Sequence, residues 1–360
     1  DENGVCDACR TAETKENIDW GMREEELVKL LDKHRKNDGS YDCLVPGSGG
    51  KDSAYQAHVL KYKYNMNPLT VTWPPILYTD YGLKNWRNWL DSGFDNISFY
   101  RNGKVMKLLT KLSIENLLHP FQTFILGQKN LAPKIAQKYN IPLVFYGEPE
   151  SEYGNPVADH SKSLIGNEYY SMNNSNEIFL AGCSLKYLEE KHNLSIKDLS
   201  IFLPMDKKEL EKTDIQIHYL GYYKKWIPQE AYYYSVENSN FSARPYRTQG
   251  TYSKYSSIDD KIDDLHYYTT FIKFDLERAT YDASQEIISK HLTLDEVKLL
   301  VKKFDGEFPD RYFSQVMEYI DMNEEKFHEL CDAFRSPHLW IKTNKGWKLR
   351  HNVYKEGYDD

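Results

Sequence analysis

The stretch from Pro46 to Ser53 has the composition and order of a phosphate-binding turn. It reads PGSGGKDS. Glycines allow neighbouring backbone N–H groups to converge on an anion, and Lys51 adds a positive charge. Asp52 would repel a phosphate unless a cation lay between them, which indicates Mg²⁺.

The spacing disfavours a Walker A loop. That loop has a glycine five positions before its Gly-Lys pair and a Ser or Thr directly after the lysine. In this chain the two positions hold Val45 and Asp52. A kinase-type loop that surrounds the β- and γ-phosphates is therefore not expected.

The elements around the turn are predicted to form an α/β fold. Five β-rich runs indicate strands: 41–45, 69–73, 96–100, 141–146 and 215–223. Helical periodicity marks 22–34, 53–62, 83–90 and 105–139, the last interrupted near Pro120 and Pro133. Alternating strands and helices predict a doubly wound parallel sheet, which binds ligands at the carboxyl ends of its strands. Residues 48–53 and 147–154 each follow a strand, so one site can contain both.

We divide the chain into three parts. Residues 1–20 form an N-terminal segment with a CxxC pair, 21–245 the α/β domain, and 246–360 a mostly helical region for substrate binding. Asp259 and Asp260 are interpreted as the start of a helix in the last part. Because the chain begins at Asp1 rather than Met, we expect part of the native N-terminus to be absent.

The segment SGGKDS resembles the PP-loop of the ATP pyrophosphatase superfamily, which includes asparagine and GMP synthetases and several tRNA-modifying enzymes. The resemblance implies an adenine nucleotide alpha hydrolase-like fold. It also implies cleavage of ATP between the α- and β-phosphates, with adenylation of a carbonyl oxygen. ATP would be bound by Ser48, Gly49, Gly50, Lys51, Asp52 and Ser53.

Three further segments are similar to the N-acetyl sugar amidotransferases. They are YGEPESEYGN at 146–155, GTYSKY at 250–255 followed by DDK at 259–261, and RATYDASQE at 278–286. Those enzymes act in lipopolysaccharide synthesis and in flagellin modification with pseudaminic or legionaminic acid. The resemblance implies that ATP and ammonia convert a sugar acetamido group into an acetamidino group, with release of AMP and PPi.

The matched segments supply the remaining candidate site residues. Lys51, Asp52, Glu148 and Glu152 are the candidate catalytic residues, with Asp52 and Glu152 as Mg²⁺ ligands. The two glutamates could instead be solvated loop carboxylates. Tyr153 is a candidate for stacking on a sugar. Cations for a nucleotide phosphate or a sugar carboxylate are predicted at Lys254, His266, Lys273 and Arg278.

Cys6 and Cys9 have the spacing of two zinc ligands. The resembled family usually carries a second CxxC upstream, and this sequence lacks it. Zinc is therefore a candidate cofactor with an incomplete ligand set. Cys43 and Cys331 are assigned to the core, since one lies in a strand and the other on an apolar helix face.

Composition limits the class of partner. Lys and Arg total 46 and Asp and Glu total 54, so the net charge is −8. This argues against nucleic-acid binding, which depends mainly on phosphate electrostatics. No apolar run reaches about 18 residues, so no membrane segment is expected. Few cysteines and no visible signal peptide indicate a cytoplasmic protein.

The expected small-molecule partner is a nucleotide-linked N-acetyl sugar. No glutaminase machinery is visible, so ammonia is expected from solution or from a glutaminase subunit; a second copy of the chain is a further candidate partner. Two alternatives stay open. One is a PP-loop tRNA-modifying enzyme of the thiolation or lysidine type, and the other is a non-catalytic ATP-binding sensor.

Overall fold

The computed structural model describes residues 7–148 and 163–353. Its strands are β1 (Cys43–Pro46), β2 (Pro68–Thr72), β3 (Asn96–Ser98), β4 (Leu143–Tyr146), β5 (Ser171–Met172), β6 (Phe179–Leu180), β7 (Cys183–Ser184), β8 (Met205–Asp206), β9 (Gln216–Tyr219), β10 (Trp340–Thr343) and β11 (Gly346–Leu349).

The helices of the first two thirds are α1 (Asp7–Glu16), α2 (Trp20–His34), α3 (Lys51–His58), α4 (Asp80–Asp91), α5 (Gly103–Leu117), α6 (Gln122–Tyr139), α7 (Leu185–His192), α8 (Ile196–Leu199), α9 (Lys207–Glu211), α10 (Leu220–Tyr223) and α11 (Pro228–Ser239). Those of the last third are α12 (Asp263–Phe274), α13 (Arg278–Ile288), α14 (Leu294–Phe304), α15 (Asp310–Ile320) and α16 (Glu324–Phe334). Within the described ranges, no helix is both long and apolar enough to cross a membrane.

The central sheet has five parallel strands in the order β3-β2-β1-β4-β9. The order reverses at β1, which lies between β2 and β4. Leu44 pairs with Leu69 on one side and with Val144 on the other. The predicted parallel α/β sheet is therefore confirmed, and the crevice next to β1 is where such sheets bind ligands.

Both faces of the sheet are covered. Leu44 and Val144 belong to one apolar core, whereas Val45 and Phe145 belong to the other. Successive strand residues point to opposite faces, so short, uniformly apolar strands serve two cores at once. All four side chains have no exposed surface.

The C-terminal region is helical, as predicted. Up to residue 353, where the described part of the chain ends, helices α12 to α16 are followed by the hairpin of β10 and β11. Leu265, Phe313 and Cys331 belong to the same apolar core as Leu44, so α12, α15 and α16 share a core with the sheet, whereas α13 and α14 form a small core of their own around Ala283 and Val301. Cys43 and Cys331 are buried free cysteines, as expected. The three-part division of the chain stays a prediction.

The predicted helix break near Pro133 is wrong. Helix α6 runs through Pro133 to Tyr139, whereas the break near Pro120 is confirmed between α5 and α6. A proline inside a helix leaves the carbonyl four residues earlier without its N–H partner. Here that carbonyl belongs to Lys129, and the hydroxyl of Tyr146 donates to it at 2.9 Å. This tertiary hydrogen bond compensates for the missing donor.

Helix α12 begins at Asp263 rather than at Asp259 or Asp260. The carboxylate of Asp260 instead accepts hydrogen bonds from the backbone of Ile76 and Leu77, in the loop after β2. Asp260 therefore joins two parts of the chain and does not start a helix.

Candidate active site

The glycine turn follows β1 and leads into α3. Gly49 has a φ of +86°, and a Cβ there would lie 2.4 Å from the Cα of Trp86, so a side chain does not fit. The hydroxyl of Ser53 donates to the carbonyl of Gly50 at 2.9 Å and accepts from the N–H of Gly49 at 3.1 Å. These two hydrogen bonds of Ser53 stabilise the turn. The first N–H groups of α3 have no intrahelical partner and remain available to an anion.

Gln56 fixes the turn relative to β4. Its side-chain nitrogen donates to the carbonyl of Pro46 at 3.2 Å and to that of Phe145 at 3.1 Å. Pro46 ends β1, and Phe145 lies one residue before the end of β4. The carboxyl ends of the two central strands are therefore held together, which brings Glu148 to the edge where the turn lies.

Lys51 and Asp52 form an ion pair at the start of α3, with 2.5 Å between Nζ and Oδ2. Lys51 is only 8% exposed. The second carboxylate oxygen of Asp52, Oδ1, is shielded from solvent and has no hydrogen-bond partner among the described residues. A buried carboxylate oxygen without a hydrogen-bond donor fits a cation, because a buried polar atom that has no partner is costly.

Two cavities meet at the turn, and both are lined by Ser48, Gly50, Asp52, Gln128 and Glu148. The polar cavity has a volume of about 510 Å³ and extends toward α12 and α13. Its further wall includes Asn85, Asp259, Asp263, His266, Tyr267 and Arg278. Predicted residues from three separate segments are thus brought together: the turn, Glu148, and the pair His266 and Arg278.

The aromatic cavity lies on the other side of the turn and has a volume of about 540 Å³. Its wall includes Val71, Trp73, Leu131, Tyr146, Tyr170 and Tyr219. Rings and aliphatic side chains of this kind suit a flat apolar group such as a nucleobase. The sequence analysis missed this cavity. The 29 tyrosines of the chain were a signal, although a count does not locate any of them.

Arg278 is held in place by two neighbours. Its Nη1 donates to the hydroxyl of Tyr267 at 2.5 Å, and its Nε donates to Asp282 Oδ1 at 3.0 Å. Thr251 donates to the other oxygen of Asp282 at 2.6 Å. An oriented guanidinium on the wall of a polar cavity can bind phosphate or carboxylate. This location agrees with the predicted role of Arg278, which stays a prediction.

His266 lines the same cavity, but it does not supply the positive charge that was expected of it. Burial, followed by the nearby His119, Arg278 and Lys273, lowers the pKa of His266 well below its usual value. The imidazole is therefore neutral near pH 7.

Lys254 and Lys273 do not line either cavity. Lys254 is exposed. Lys273 is half-buried, and its Nζ donates to the carbonyl of Leu117 at the end of α5, at 2.8 Å. The structure therefore gives Lys273 a contact that stabilises a helix end.

Several predicted residues lie outside the described part of the chain. These are Glu152, Tyr153 and Cys6, and the side chain of Cys9 is not described either. Among the described residues, no group of three or more His, Cys, Asp and Glu side chains is placed to hold a metal ion. The proposed zinc site therefore has no support from them.

The sequence analysis also missed individual residues of the polar cavity. Gln128 on α6 and Asn85 on α4 line it, yet their sequence surroundings carry no turn or charge pattern. Asp263 could have been noticed, because it follows the matched DDK segment closely.

Three comparisons relate the chain to known proteins. Residues 249–354 match the family model "LPS biosynthesis protein WbpG-like, C-terminal domain". "Uncharacterized protein MJ1599" of Methanocaldococcus jannaschii is 34% identical over 67 residues, which cover 19% of this chain and 24% of that protein. The chain thus spans about a quarter of this curated relative.

Among solved structures, the chain matches an NH3-dependent NAD synthetase from Campylobacter jejuni in complex with the nitrate ion. The TM-score is 0.31 and the identity is 19%, over 51% of this chain and 77% of that one.

The matched residues 249–354 contain Arg278 and His266, which line the polar cavity together with residues of the SGGKDS turn at the end of β1. Residues 249–354 are therefore similar to the C-terminal domain of WbpG-like proteins of lipopolysaccharide biosynthesis.

Proposed function

We propose that the protein is an ATP-dependent amidotransferase acting on a nucleotide-linked N-acetyl sugar. It would transfer AMP from ATP to the acetamido oxygen, release PPi, and replace the adenylated oxygen with ammonia to give an acetamidino group. The observation that carries this proposal is the position of the glycine turn, which lies between an aromatic cavity and a polar cavity. One nucleotide and one polar second substrate can meet there.

The two cavities suit different halves of the reaction. The aromatic cavity would hold adenine against Tyr146 and Trp73, and the N–H groups of the turn and of α3 would bind the phosphates. The polar cavity would hold the sugar, with its amide oxygen facing the α-phosphate. Holding two reactants in line removes much of the entropic cost of their reaction.

Adenylation would convert the amide oxygen into a good leaving group. An amide is a poor electrophile and its oxygen leaves poorly, whereas the imidate formed by AMP transfer has AMP as its leaving group. Lys51 would stabilise the charge that develops on the departing pyrophosphate.

The donor set of the turn fits Mg²⁺. Asp52 offers a buried carboxylate oxygen that no described residue bonds, and Glu148 lines both cavities next to it. Mg²⁺ is usually bound by one or two carboxylates together with substrate phosphates, so no complete protein cage is required. When bound, it would neutralise phosphate charge.

Arg278 would orient the sugar nucleotide. It faces the turn across the polar cavity, and its guanidinium is held by Tyr267 and Asp282. A diphosphate or a sugar carboxylate would accept charge-assisted hydrogen bonds from its guanidinium.

The products of ATP cleavage test the proposal. Purified protein is incubated with ATP, Mg²⁺, ammonium chloride and a panel of UDP- and CMP-linked N-acetyl sugars, and the nucleotides are separated by chromatography. We expect AMP and PPi to form only with an acetamido sugar, while UDP-glucose, which has no amide, gives none. ADP and phosphate as the coupled products would contradict the PP-loop reaction.

We further propose that ammonia comes from a glutaminase subunit. Ammonium ion is not nucleophilic, and free ammonia is scarce at neutral pH, so delivery from a second active site would raise its effective concentration. The isolated chain should use ammonium salts with a rate that rises with pH, and it should not use glutamine. Efficient turnover with glutamine by the pure chain would contradict this.

A further inference from the structure

A small side chamber adjoins the polar cavity. Its volume is about 210 Å³, whereas sites for drug-sized ligands span about 300–1,000 Å³. The chamber is therefore too small for a nucleotide sugar, but it has room for one substituent of the sugar. Asp259, Asp263, His266 and Tyr267 line both the chamber and the polar cavity, so a sugar in the polar cavity can extend a substituent into the chamber.

One face of the N-terminal half of α6 forms a wall of this chamber. Phe121, Phe124, Ile125 and Gln128 all line it, and positions three, four and seven residues apart lie on the same side of a helix. The first three side chains are apolar and the fourth is a carboxamide. This wall suits a small group that has an apolar end next to an amide. An acetamido group, in which a methyl group adjoins an amide, has that composition.

Gln128 lies where the three spaces meet. Gln128 and Ser48 of the glycine turn each line the aromatic cavity, the polar cavity and the chamber. Gln128 is exposed, and within the described ranges its carboxamide has no hydrogen-bond partner. A carboxamide can both donate and accept hydrogen bonds. A ligand amide at this junction would therefore meet a group of matching polarity beside the glycine turn.

The backbone on both sides of Gln128 is fixed by contacts from the sheet. A Cβ at Gly127 would lie 2.2 Å from Cζ2 of Trp73, so this indole packs directly on α6. On the C-terminal side, the hydroxyl of Tyr146 donates to the carbonyl of Lys129 at 2.9 Å. Trp73 follows β2 and Tyr146 ends β4. The place of Gln128 relative to the strand ends is therefore set before a ligand binds, which lowers the entropic cost of recognition.

We propose that the side chamber binds the acetamido group of the sugar and that Gln128 recognises it. This inference rests on the proposed function. Oε1 of Gln128 accepts the hydrogen bond of the amide N–H, and the methyl group packs on Phe121 and Phe124. The amide oxygen is then left free to face the glycine turn, where the α-phosphate of ATP would lie. A hydrogen bond from the amide N–H also polarises the amide, which makes its oxygen a better nucleophile.

Substitution of Gln128 tests the hydrogen bond. Gln128→Met keeps the length of the side chain and removes its amide. Gln137→Met is the control, because Gln137 is an exposed residue of the same helix that lines none of the three spaces. AMP formation is measured with the sugar of the panel that gives the highest rate, and KM and kcat are determined separately for this sugar and for ATP.

We expect Gln128→Met to lower kcat/KM for the sugar by about tenfold or more, because the amide N–H loses its acceptor, while the KM for ATP stays unchanged. Gln137→Met should match the wild type. An unchanged kcat/KM for the sugar would overturn the inference. A raised KM for ATP would also overturn it, since Gln128 would then contact the nucleotide.

A second measurement tests the apolar wall. Phe124 lines the chamber and neither of the two cavities, so Phe124→Leu widens the chamber alone. The ratio of the rates with N-propionyl and N-acetyl forms of the same sugar nucleotide should rise by about tenfold, the usual effect of one methylene in an apolar pocket. This ratio does not depend on how much of the variant is folded, and an unchanged ratio would overturn the placement of the acyl group.

The wild type separates this inference from the proposed function. If it forms no AMP with any acetamido sugar of the panel, the proposed function is wrong, and this inference fails with it. If it forms AMP and the Gln128 and Phe124 variants behave like the wild type, only this inference is wrong.

Discussion

The carboxylate of Asp260 accepts a hydrogen bond from the backbone N–H of Leu77 at 3.2 Å, across 183 positions of the chain. It also accepts from the N–H of Ile76, and from that of Ile262 at 3.0 Å. These bonds join the loop after β2 to the segment that leads into α12. Because α12 carries Asp263 and His266, Asp260 positions one wall of the polar cavity.

Asp260→Ala is expected to destabilise the protein. One buried and two partly buried N–H groups would lose their acceptor, and an unsatisfied buried donor costs about 1–3 kcal/mol. The free energy of unfolding, measured by urea denaturation, should fall by at least about 2 kcal/mol. Asp295→Ala, at an exposed position in the first turn of α14, should change it by less than about 0.5 kcal/mol. Equal stability of the two variants would show that the bonds of Asp260 do not hold the cavity wall.

Gly49→Ala and Gly39→Ala form a matched pair. Both glycines have a φ of +86°, but a Cβ at Gly49 would lie 2.4 Å from Trp86, whereas nothing lies within 4 Å of one at Gly39. Both variants incur the left-handed backbone penalty of about 1–2 kcal/mol. Only Gly49→Ala must also move the turn, so it alone should lose ATP turnover in the AMP assay. Similar activity of the two would contradict the packing of the turn.

Lys51→Ala and Asp52→Asn should lose most turnover while the fold is retained. Removing one preorganised charged group from such a site costs about 10²–10³ in rate, and circular dichroism should stay unchanged. Lys212→Ala is the control, because Lys212 forms an equally short ion pair of 2.5 Å with Glu209 on the exposed surface. Near-wild-type rates for either turn variant at saturating ATP would exclude their phosphate and metal roles.

Because His58 is buried, we predict that the folded protein loses stability in acid. Burial lowers the pKa of His58 from 6.5 to about 4. The unfolded chain then binds more protons between these values, so stability is full above about pH 6.5 and decreases as the pH falls toward 4. The contribution is on the order of 1–3 kcal/mol. Denaturation curves of His58→Gln should depend less on pH than those of the wild type. Identical pH dependence of the two proteins would contradict this prediction.

Much of the sheet followed from local sequence. Short β-rich runs bounded by turn residues predicted the five parallel strands, since strands such as β1 and β4, which are buried on both faces, need no alternation. The last run was predicted too long, because Leu220–Tyr223 form α10. The turn at Gly49 was also predictable from the sequence, because all the groups that form it lie within a few residues of one another. The hydroxyl of Ser53 bonds the backbone of Gly49 and Gly50. Features that depend on contacts between residues close in sequence, such as this turn, can be predicted from the sequence.

The continuity of α6 could not be predicted in this way. A proline normally interrupts a helix, and only the hydroxyl of Tyr146, which donates to the Lys129 carbonyl, compensates for the missing N–H of Pro133. That donor comes from a different element. The role of Asp260 could not be predicted for the same reason. Its partners Ile76 and Leu77 lie 184 and 183 positions earlier in the chain.

The sequence by itself determined the glycine turn, the parallel sheet and the candidate positions Glu148, His266 and Arg278. The tertiary structure decided which of them share a cavity, placed Lys273 on a helix end, and made His266 neutral. The physical reason is that charge state depends on burial and on neighbours, and both arise from contacts between residues that are distant in the chain.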